Sequence, residues 1–197
     1  MKTFILSSYY FLLFFPLITT SNKYQTPNPL ANNDELRFDF GKGKVGEDWF
    51  VMNDDVMGGR SKGKMALTEN SLQFSGNISL ENSGGYTFVQ CPFRSLELGE
   101  ATRVLIRYRS FQQTVGINFN TTTAWYKPYY KLLLEDTKGE WKVVELGLGE
   151  ALEYSRGKPN GKKMSLDLVP EIKRLGFSNT DLKEGEFTFE VDYMVFK

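Results

Sequence analysis

The stretch FTFEVDYMVF at positions 187–196 decides the fold class of this chain. Apolar and polar residues alternate along it, with Phe187, Phe189, Val191, Tyr193 and Val195 on one side and Thr188, Glu190 and Asp192 on the other. Side chains two residues apart share a face of a β-strand, whereas a helix needs a period near 3.6. The stretch therefore predicts a strand that turns its five apolar side chains towards a core.

The same period of two recurs along the chain from Glu35 onward, at positions 36–40, 72–80, 103–109, 114–120 and 130–144, the last around a turn at 136–139. No window predicts a long amphipathic helix. Pro170 predicts one helical turn over 170–175, because proline suits the first position of a helix. Many short strands separated by turns, without βαβ alternation, predict an all-β fold, an antiparallel jelly-roll β-sandwich.

The composition excludes several classes of function. Lys and Arg total 24, as do Asp and Glu, so no net charge draws the 197-residue chain to nucleic acid. Histidine is absent, which removes the commonest general base, the histidine-dependent triads and the most frequent zinc ligand. Cys91 is the single cysteine, so an intrachain disulfide is impossible and a small buried side chain is expected.

The N-terminus predicts export. Lys2 precedes an almost wholly apolar run at 4–18, and small residues at 19–21 suit cleavage by a signal peptidase. The run is shorter than the roughly 20 residues of a spanning helix. We expect a signal peptide at 1–21, a linker at 22–34 and a domain at 35–197. This predicts a periplasmic or secreted protein with no spanning segment in the mature chain; the alternative is a membrane tether formed by an uncleaved N-terminal segment.

Two polar, glycine-rich turns are the most distinctive motifs, and we call them the motif loops. They contain Asn53, Asp54, Asp55, Gly58, Gly59, Arg60 and Ser61 in the first, and Glu81, Asn82, Gly84 and Gly85 in the second. Glycine pairs allow close backbone approach, and Asn and Asp accept hydrogen bonds from amides. We expect the loops to position backbone, with Arg60 paired to one of the first loop's carboxylates. A calcium site at 53–55 is the alternative, although the spacing matches no known calcium loop.

A second group of residues predicts ligand contact. Arg107 and Arg109 project from one strand, and Trp125 and Tyr130 lie in an aromatic cluster around Pro128. Aromatic rings stack on sugars or peptides while guanidinium groups donate hydrogen bonds. The alternative is that these rings pack in the core or cover a sheet edge.

The remaining motifs give weak signals for chemistry. Positions 41–46 match G-x-G-x-x-G, but no helix pattern follows, so we interpret them as a loop. Candidate acids for glycoside hydrolysis exist at Asp54, Asp55, Glu81, Glu135 and Asp136, yet the sequence does not bring any two together. We expect no catalytic residue, no cofactor and no metal.

Several stretches together resemble one family, that of complex I intermediate-associated protein 30. The resemblance is carried by positions 53–61, FSGNISLENSGGY at 74–86, GEW at 139–141, IKRLGF at 172–177 and the closing strand, and it covers 36–197. It implies a galactose-binding-like jelly roll, related in shape to carbohydrate-binding modules. It also implies the role of mitochondrial members, which are assembly factors for the respiratory NADH dehydrogenase and act as chaperones without catalysing a reaction.

The functional expectation is therefore a non-catalytic, exported binding module that recognises a protein or glycan surface, with no nucleic-acid partner. One alternative is an assembly factor, or chaperone, for a membrane complex resembling the respiratory NADH dehydrogenase. A glycan hydrolase is the third reading.

Overall fold

The alternating stretches form β-strands in a computed structural model that describes residues 35–124, 126–155 and 157–197. The strands of the described residues are β1 (Leu36–Asp39), β2 (Phe50–Asn53), β3 (Lys62–Leu67), β4 (Leu72–Ile78), β5 (Thr87–Gln90), β6 (Arg103–Phe111), β7 (Val115–Asn120), β8 (Tyr129–Leu134), β9 (Lys142–Gly147), β10 (Leu152–Ser155), β11 (Lys158–Lys163), β12 (Arg174–Asn179) and β13 (Gly185–Phe196). Short 3-10 helices lie at Asp54–Met57, Glu81–Ser83, Leu148–Glu150 and Leu166–Glu171.

Two antiparallel sheets form the architecture. The first sheet has the order β3-β4-β13-β6-β9, with β1 also paired to β13, and the second has the order β11-β10-β8-β7-β12-β5-β2. Aromatic side chains join the sheets: the rings of Phe177 on β12 and Phe189 on β13 lie 4.8 Å apart between centroids. The predicted antiparallel jelly-roll β-sandwich is confirmed.

The closing strand departs from its predicted alternation. Phe187, Phe189 and Val191 are buried as expected, but the pairing of β13 with β6 shifts between Val191 and Tyr193. Such a β-bulge adds one residue and exchanges the two faces beyond it. Tyr193 therefore pairs with Arg107 on the outer face, while Met194 and Phe196 enter the core. The prediction that Tyr193 shares the face of Phe187 is wrong for this reason.

The helical turn predicted over 170–175 is misplaced. Pro170 lies inside the 3-10 helix Leu166–Glu171, and β12 begins at Arg174. Cys91 is buried, and burial raises the pKa of its thiol. This matches the small buried side chain expected of a lone cysteine.

The predicted signal peptide at 1–21 and linker at 22–34 lie outside the described residues and stay predictions. Within the described part of the chain, no helix has both the length and the apolar character needed to cross a membrane.

Candidate functional site

The two motif loops meet around the carboxylate of Asp54. This residue is buried, with only 1% of its surface exposed. Its Oδ1 accepts a hydrogen bond from the Ser61 amide at 2.9 Å. Its Oδ2 accepts from the Ser61 hydroxyl at 2.7 Å and from the amides of Gly85 and Tyr86 at 2.7 and 3.2 Å. Burial would raise the pKa of this carboxyl, but the four donors outweigh it and hold the pKa below its usual value.

The glycines of both loops make room for this carboxylate. A Cβ on Gly59 would overlap the Asp54 carboxyl group, and one on Gly84 would lie 2.6 Å from Oδ2. Gly58 ends the 3-10 helix Asp54–Met57 in the left-handed region, at φ 86°. These glycines are needed for close approach and for a turn.

A second layer of hydrogen bonds ties the loops to neighbouring strands. Asn53 Oδ1 accepts from the Gly63 amide at 2.8 Å and from the Thr87 hydroxyl at 2.6 Å. Asn179 Oδ1 accepts from the Thr87 amide at 2.9 Å, and Asn179 Nδ2 donates to the Gly85 carbonyl at 2.9 Å. The side chains of Asn53 and Asn179 therefore hold the two loops against β3, β5 and β12.

Two contacts join the loops differently from the sequence-based prediction. Asn82 Nδ2 donates to the Gly58 carbonyl at 2.9 Å. Arg60 pairs with Glu81 of the second loop at 3.1 Å, and not with a carboxylate of its own loop as predicted. Both groups of that ion pair are exposed, so the pair adds little stability.

This geometry also bears on the calcium and hydrolase alternatives. The side-chain oxygens of Asn53 and Asp54 already accept protein hydrogen bonds, and no group of three His, Cys, Asp or Glu residues placed to hold a metal occurs among the described residues. A general acid needs a raised pKa and access to substrate. The pKa of Asp54 is lowered and its carboxyl group is buried, so Asp54 does not fit the role of a general acid.

Arg107 and Arg109, predicted as ligand contacts, lie on the outer face of the first sheet. Arg107 pairs with Asp192, and Arg109 Nε and Nη2 donate to Glu190 at 2.8 and 2.6 Å. Both guanidinium groups also lie against the Trp141 ring, 4.3 and 4.9 Å from its centroid. A depression of about 390 Å³ beside Arg109 is lined by the paired Arg109 and Glu190 and by residues of β4 such as Gln73. Each guanidinium therefore already has a carboxylate partner within the protein.

Tyr130 lies in the other sheet, on β8, and packs with the core at 8% exposure. Its hydroxyl donates to Glu153 at 3.3 Å. The structure therefore does not join Tyr130 to the two arginines, and the predicted group is divided between opposite sheets. Trp125 lies outside the described residues, and its role stays a prediction.

A different surface collects unsatisfied donors: the outer face of the second sheet. Residues on its central strands alternate between core and outer positions, and strand pairing places Lys131, Asn118, Gly176 and Gln90 in one row across β8, β7, β12 and β5. We call this surface the donor face and define it by Gln90, Asn118, Tyr129, Lys131, Tyr154 and Arg174.

Two buried nitrogen atoms on the donor face have no hydrogen-bond partner among the residues that the structure describes. Asn118 is 3% exposed; its Oδ1 accepts from the Ser178 hydroxyl at 3.3 Å, but its Nδ2 is unpartnered. Arg174 lies with its guanidinium carbon 4.8 Å from the Phe93 ring centroid, and its Nε is likewise unpartnered. An unsatisfied buried donor costs about 1–3 kcal/mol, which an acceptor on a ligand would offset.

Lys131 is the third donor of this face and the one buried lysine among the described residues, at 5% exposure. Its Nζ lies 4.8 Å from the Tyr154 ring centroid and 5.8 Å from that of Tyr129. Gly116 leaves space for its stem, since a Cβ there would lie 2.6 Å from the lysine side chain. Burial lowers the pKa of Lys131 to about 8.

Sequence reasoning missed the donor face, although one signal was present. Asn118 alternates with Ile117 and Phe119 in the predicted strand, which already placed its side chain away from the core. Lys131 lies between Tyr130 and Leu132, again in an alternating stretch. What the sequence lacked was the strand order that makes these two residues neighbours.

The family model for complex I intermediate-associated protein 30 (CIA30) matches residues 38–191, most of the chain. The chain belongs to this family. The match confirms the resemblance seen in the motif loops. No curated protein gave a significant match to the sequence.

Solved structures similar to this CIA30 domain include two carbohydrate-binding modules and an agarase. The family 11 module from Clostridium thermocellum, in complex with a β-1,3-1,4-mixed-linked tetrasaccharide, is 16% identical with a TM-score of 0.55, over 82% of this chain and 94% of that one. The family 11 module of the cellulosomal cellulase Lic26A-Cel5E of the same organism is 15% identical with a TM-score of 0.56, over 82% and 93%. An agarase, AgWH50C, is similar to 83% of this chain over 24% of its own length, at 16% identity and a TM-score of 0.53. At these identities the likeness shows the fold.

Proposed function

We propose that this CIA30 domain is a non-catalytic, exported binding module that holds a glycan on the donor face. The observation that carries the proposal is the pair of buried, unpartnered nitrogens, Asn118 Nδ2 and Arg174 Nε, on one sheet face. Buried donors are normally satisfied, so an unsatisfied pair on a shared face favours a ligand that supplies acceptors. Sugar hydroxyl and ring oxygens are acceptors of this kind.

The aromatic residues of the donor face support a glycan over a generic polar ligand. Tyr129 and Tyr154 lie 5.6 Å apart between ring centroids at one side of the face. A binding site that combines apolar ring surfaces with a few polar groups suits a sugar, whose CH groups contact rings while its oxygens accept hydrogen bonds. Because a signal peptide is predicted at 1–21, we propose that this binding takes place outside the cytoplasm.

Affinity electrophoresis of the full chain through gels that contain neutral or acidic polysaccharides tests this proposal. We expect at least one polysaccharide to retard the protein, and Asn118→Leu to reduce that retardation while its circular dichroism stays native. Arg109→Met, on the opposite sheet, is the matched control and should migrate like the wild type. The proposal is wrong if no polysaccharide retards the wild type, or if Arg109→Met loses binding and Asn118→Leu keeps it.

A second candidate function is favoured by the family match and by an apolar cluster beside the motif loops. Val56, Met57, Leu80 and Leu182 are exposed there, Met57 by 74%. Exposed apolar clusters are frequent at protein–protein contacts. In this reading the domain acts as an assembly factor that holds a subunit of a complex resembling the respiratory NADH dehydrogenase.

Recovery of subunits of that dehydrogenase from native membranes separates the two candidates. The assembly factor predicts that the wild-type chain recovers identified dehydrogenase subunits, that Met57→Ser weakens the recovery and that Asn118→Leu leaves it intact. Recovery that is equal with both variants, or absent with the wild type, contradicts it.

A further inference from the structure

The charges of the second sheet are unbalanced. Glu153 is the one acidic residue on its seven strands. Glu153 pairs with Tyr130 in the strand register, and it accepts hydrogen bonds from the Tyr130 hydroxyl and from Asn160. It thus shares the side of the core residue Tyr130, whereas its neighbours Leu152 and Tyr154 pair with Lys131 and Tyr129 of the donor face. The donor face therefore carries Lys131 and Arg174 but no carboxylate from these strands.

Among the described residues, the two cations of the donor face also lack a carboxylate partner, unlike the arginines of the first sheet. Arg37, Arg103, Arg107 and Arg109 on the first sheet each pair with a carboxylate. Within the described residues, neither Lys131 nor Arg174 lies within ion-pair distance of any acid, although Lys131 is nearly fully buried. Burying an unpaired charge is costly, so a fold that tolerates one favours a ligand of opposite charge.

The spacing of the two cations indicates the size of that ligand. Strand pairing places Lys131 beside Asn118 and Gly176, and Arg174 beside Asn120, so the two cations stand two strands and two positions apart. With strands about 4.8 Å apart and a rise of about 3.4 Å per residue, their Cα atoms are separated by about 12 Å. A single small anion does not span this distance, whereas an oligomer with repeated anionic groups does.

We propose that the donor face binds an acidic oligosaccharide, with Lys131 and Arg174 each receiving one anionic group and Tyr129 and Tyr154 contacting a sugar ring. The inference rests on the glycan-binding function proposed above and adds the substrate class. Uronate carboxylates and sulfate esters share the chemistry that these cations recognise. Both are therefore included as arms of the test.

Isothermal titration of the full chain with matched polymers provides the test. The probes are polygalacturonate, its fully methyl-esterified form, which keeps the sugar backbone without the charge, and a sulfated dextran with its neutral parent. We expect the charged member of at least one pair to bind at least about tenfold more tightly than its neutral partner, since a hydrogen bond to a charged group is worth a factor of that size or more. The pair that shows the difference identifies carboxylate or sulfate as the source.

Variants locate the effect on the donor face. Lys131→Met should lower the affinity for the charged polymer about tenfold, a larger factor than that for its neutral partner. Lys64→Met, an exposed lysine on β3 of the first sheet, is the matched control and should change neither. Gly116→Ala, which crowds the Lys131 stem but keeps its charge, should weaken charged binding by a smaller factor.

The outcomes separate this inference from the proposed function. Equal or tighter binding of the neutral partners overturns the acidic specificity and leaves the glycan-binding function standing. No binding of either charged polymer overturns the acidic specificity, and the proposed function falls with it only if affinity electrophoresis also shows no retardation. Competition by polyglutamate as effective as that by polygalacturonate overturns the saccharide assignment and points to an acidic protein segment. An equal loss of charged binding in Lys64→Met would show a nonspecific charge effect and contradict the site.

Discussion

The motif loops and the donor face both bury polar groups, but only the motif loops surround their buried charge with hydrogen-bond partners. At the motif loops one anion, Asp54, receives four hydrogen bonds, and its pKa falls below the usual value. On the donor face one cation, Lys131, has no counterion within the described part of the chain, and burial lowers its pKa to about 8, so that its charge is disfavoured.

This difference separates a group that stabilises the fold from one that costs stability. A buried charge with all its hydrogen bonds made contributes to the native state, whereas a buried charge without them opposes folding. The most distinctive sequence motif therefore has a structural role, and the less distinctive polar face is the better candidate for binding.

Asp54→Asn should give the largest effect, a loss of about 4 kcal/mol in the free energy of unfolding at pH 7. The amide that replaces Oδ1 or Oδ2 would turn N–H groups towards the donors of Ser61, Gly85 and Tyr86. Urea unfolding measures the change. Asp55→Asn, at the exposed neighbour, is the control and should stay within about 0.5 kcal/mol of the wild type.

The pH dependence checks that the charge of Asp54 is responsible. Because its pKa is lower in the folded protein than the ordinary 3.8, its contribution is present above about pH 4 and is lost as the pH falls through the folded value. The difference in the free energy of unfolding between the wild type and Asp54→Asn should therefore become smaller in acid. A difference in unfolding free energy that stays constant from pH 7 to pH 2 would contradict the role given to the charge of Asp54.

Lys131→Met should raise the free energy of unfolding by about 3 kcal/mol at pH 7, because it removes a buried charge. The size follows from about 1.36 kcal/mol for each unit by which burial lowers the pKa. The folded pKa is about 8 and the ordinary value 10.5, so the cost is fully present below pH 8 and disappears as the pH rises to 10.5. Tyr129 and Tyr154 are the titratable groups that face the ammonium, and burial raises the pKa of Tyr129 to about 12, so Tyr129 stays neutral across this window.

Thermal and urea unfolding between pH 6 and pH 10.5 measure this effect, with Lys64→Met as the exposed control. A destabilised Lys131→Met variant would mean that the lysine supports the fold, and the contrast with Asp54 would then fail.

Gly84→Ala should cost about 2 kcal/mol, within the usual range for an added methyl group in a packed site. The new Cβ would lie 2.6 Å from Asp54 Oδ2 and 3.0 Å from two carbonyl oxygens. Gly149→Ala is a matched control, because its nearest neighbour would be 3.7 Å away and its φ is not positive. Equal effects of the two substitutions on the urea midpoint would show that the loop packing is looser than the structure indicates.

Arg109→Met should give the smallest effect, a loss of about 1 kcal/mol, since it removes a half-exposed ion pair with Glu190 and a contact with Trp141. Glycan affinity should not change. An unchanged urea midpoint with lost affinity would restore the original prediction that Arg109 contacts ligand.

Local pattern predicted much of this molecule. The period of two in β6, β7 and β13 and the glycine pairs of the motif loops gave the fold class and the family. The β-bulge before Tyr193 was not predicted, because the sequence around it keeps its alternation of apolar and polar residues. The candidate site was not predicted for a different reason: Arg107 and Tyr130 belong to opposite sheets, whereas Lys131 and Arg174 share one face of a single sheet through strand pairing. Strand order depends on contacts between distant residues, which a period does not encode.

Amide shifts in a ¹H–¹⁵N spectrum of the full chain, titrated with oligogalacturonate, test the central contrast most directly. The account predicts that the side-chain amide of Asn118 and the backbone amides of Gly116 and Gly176 shift, while those of Ser61 and Gly85, held by Asp54, stay in place. Shifts confined to Ser61, Gly85 and their neighbours would contradict it, because the motif loops would then be the ligand site.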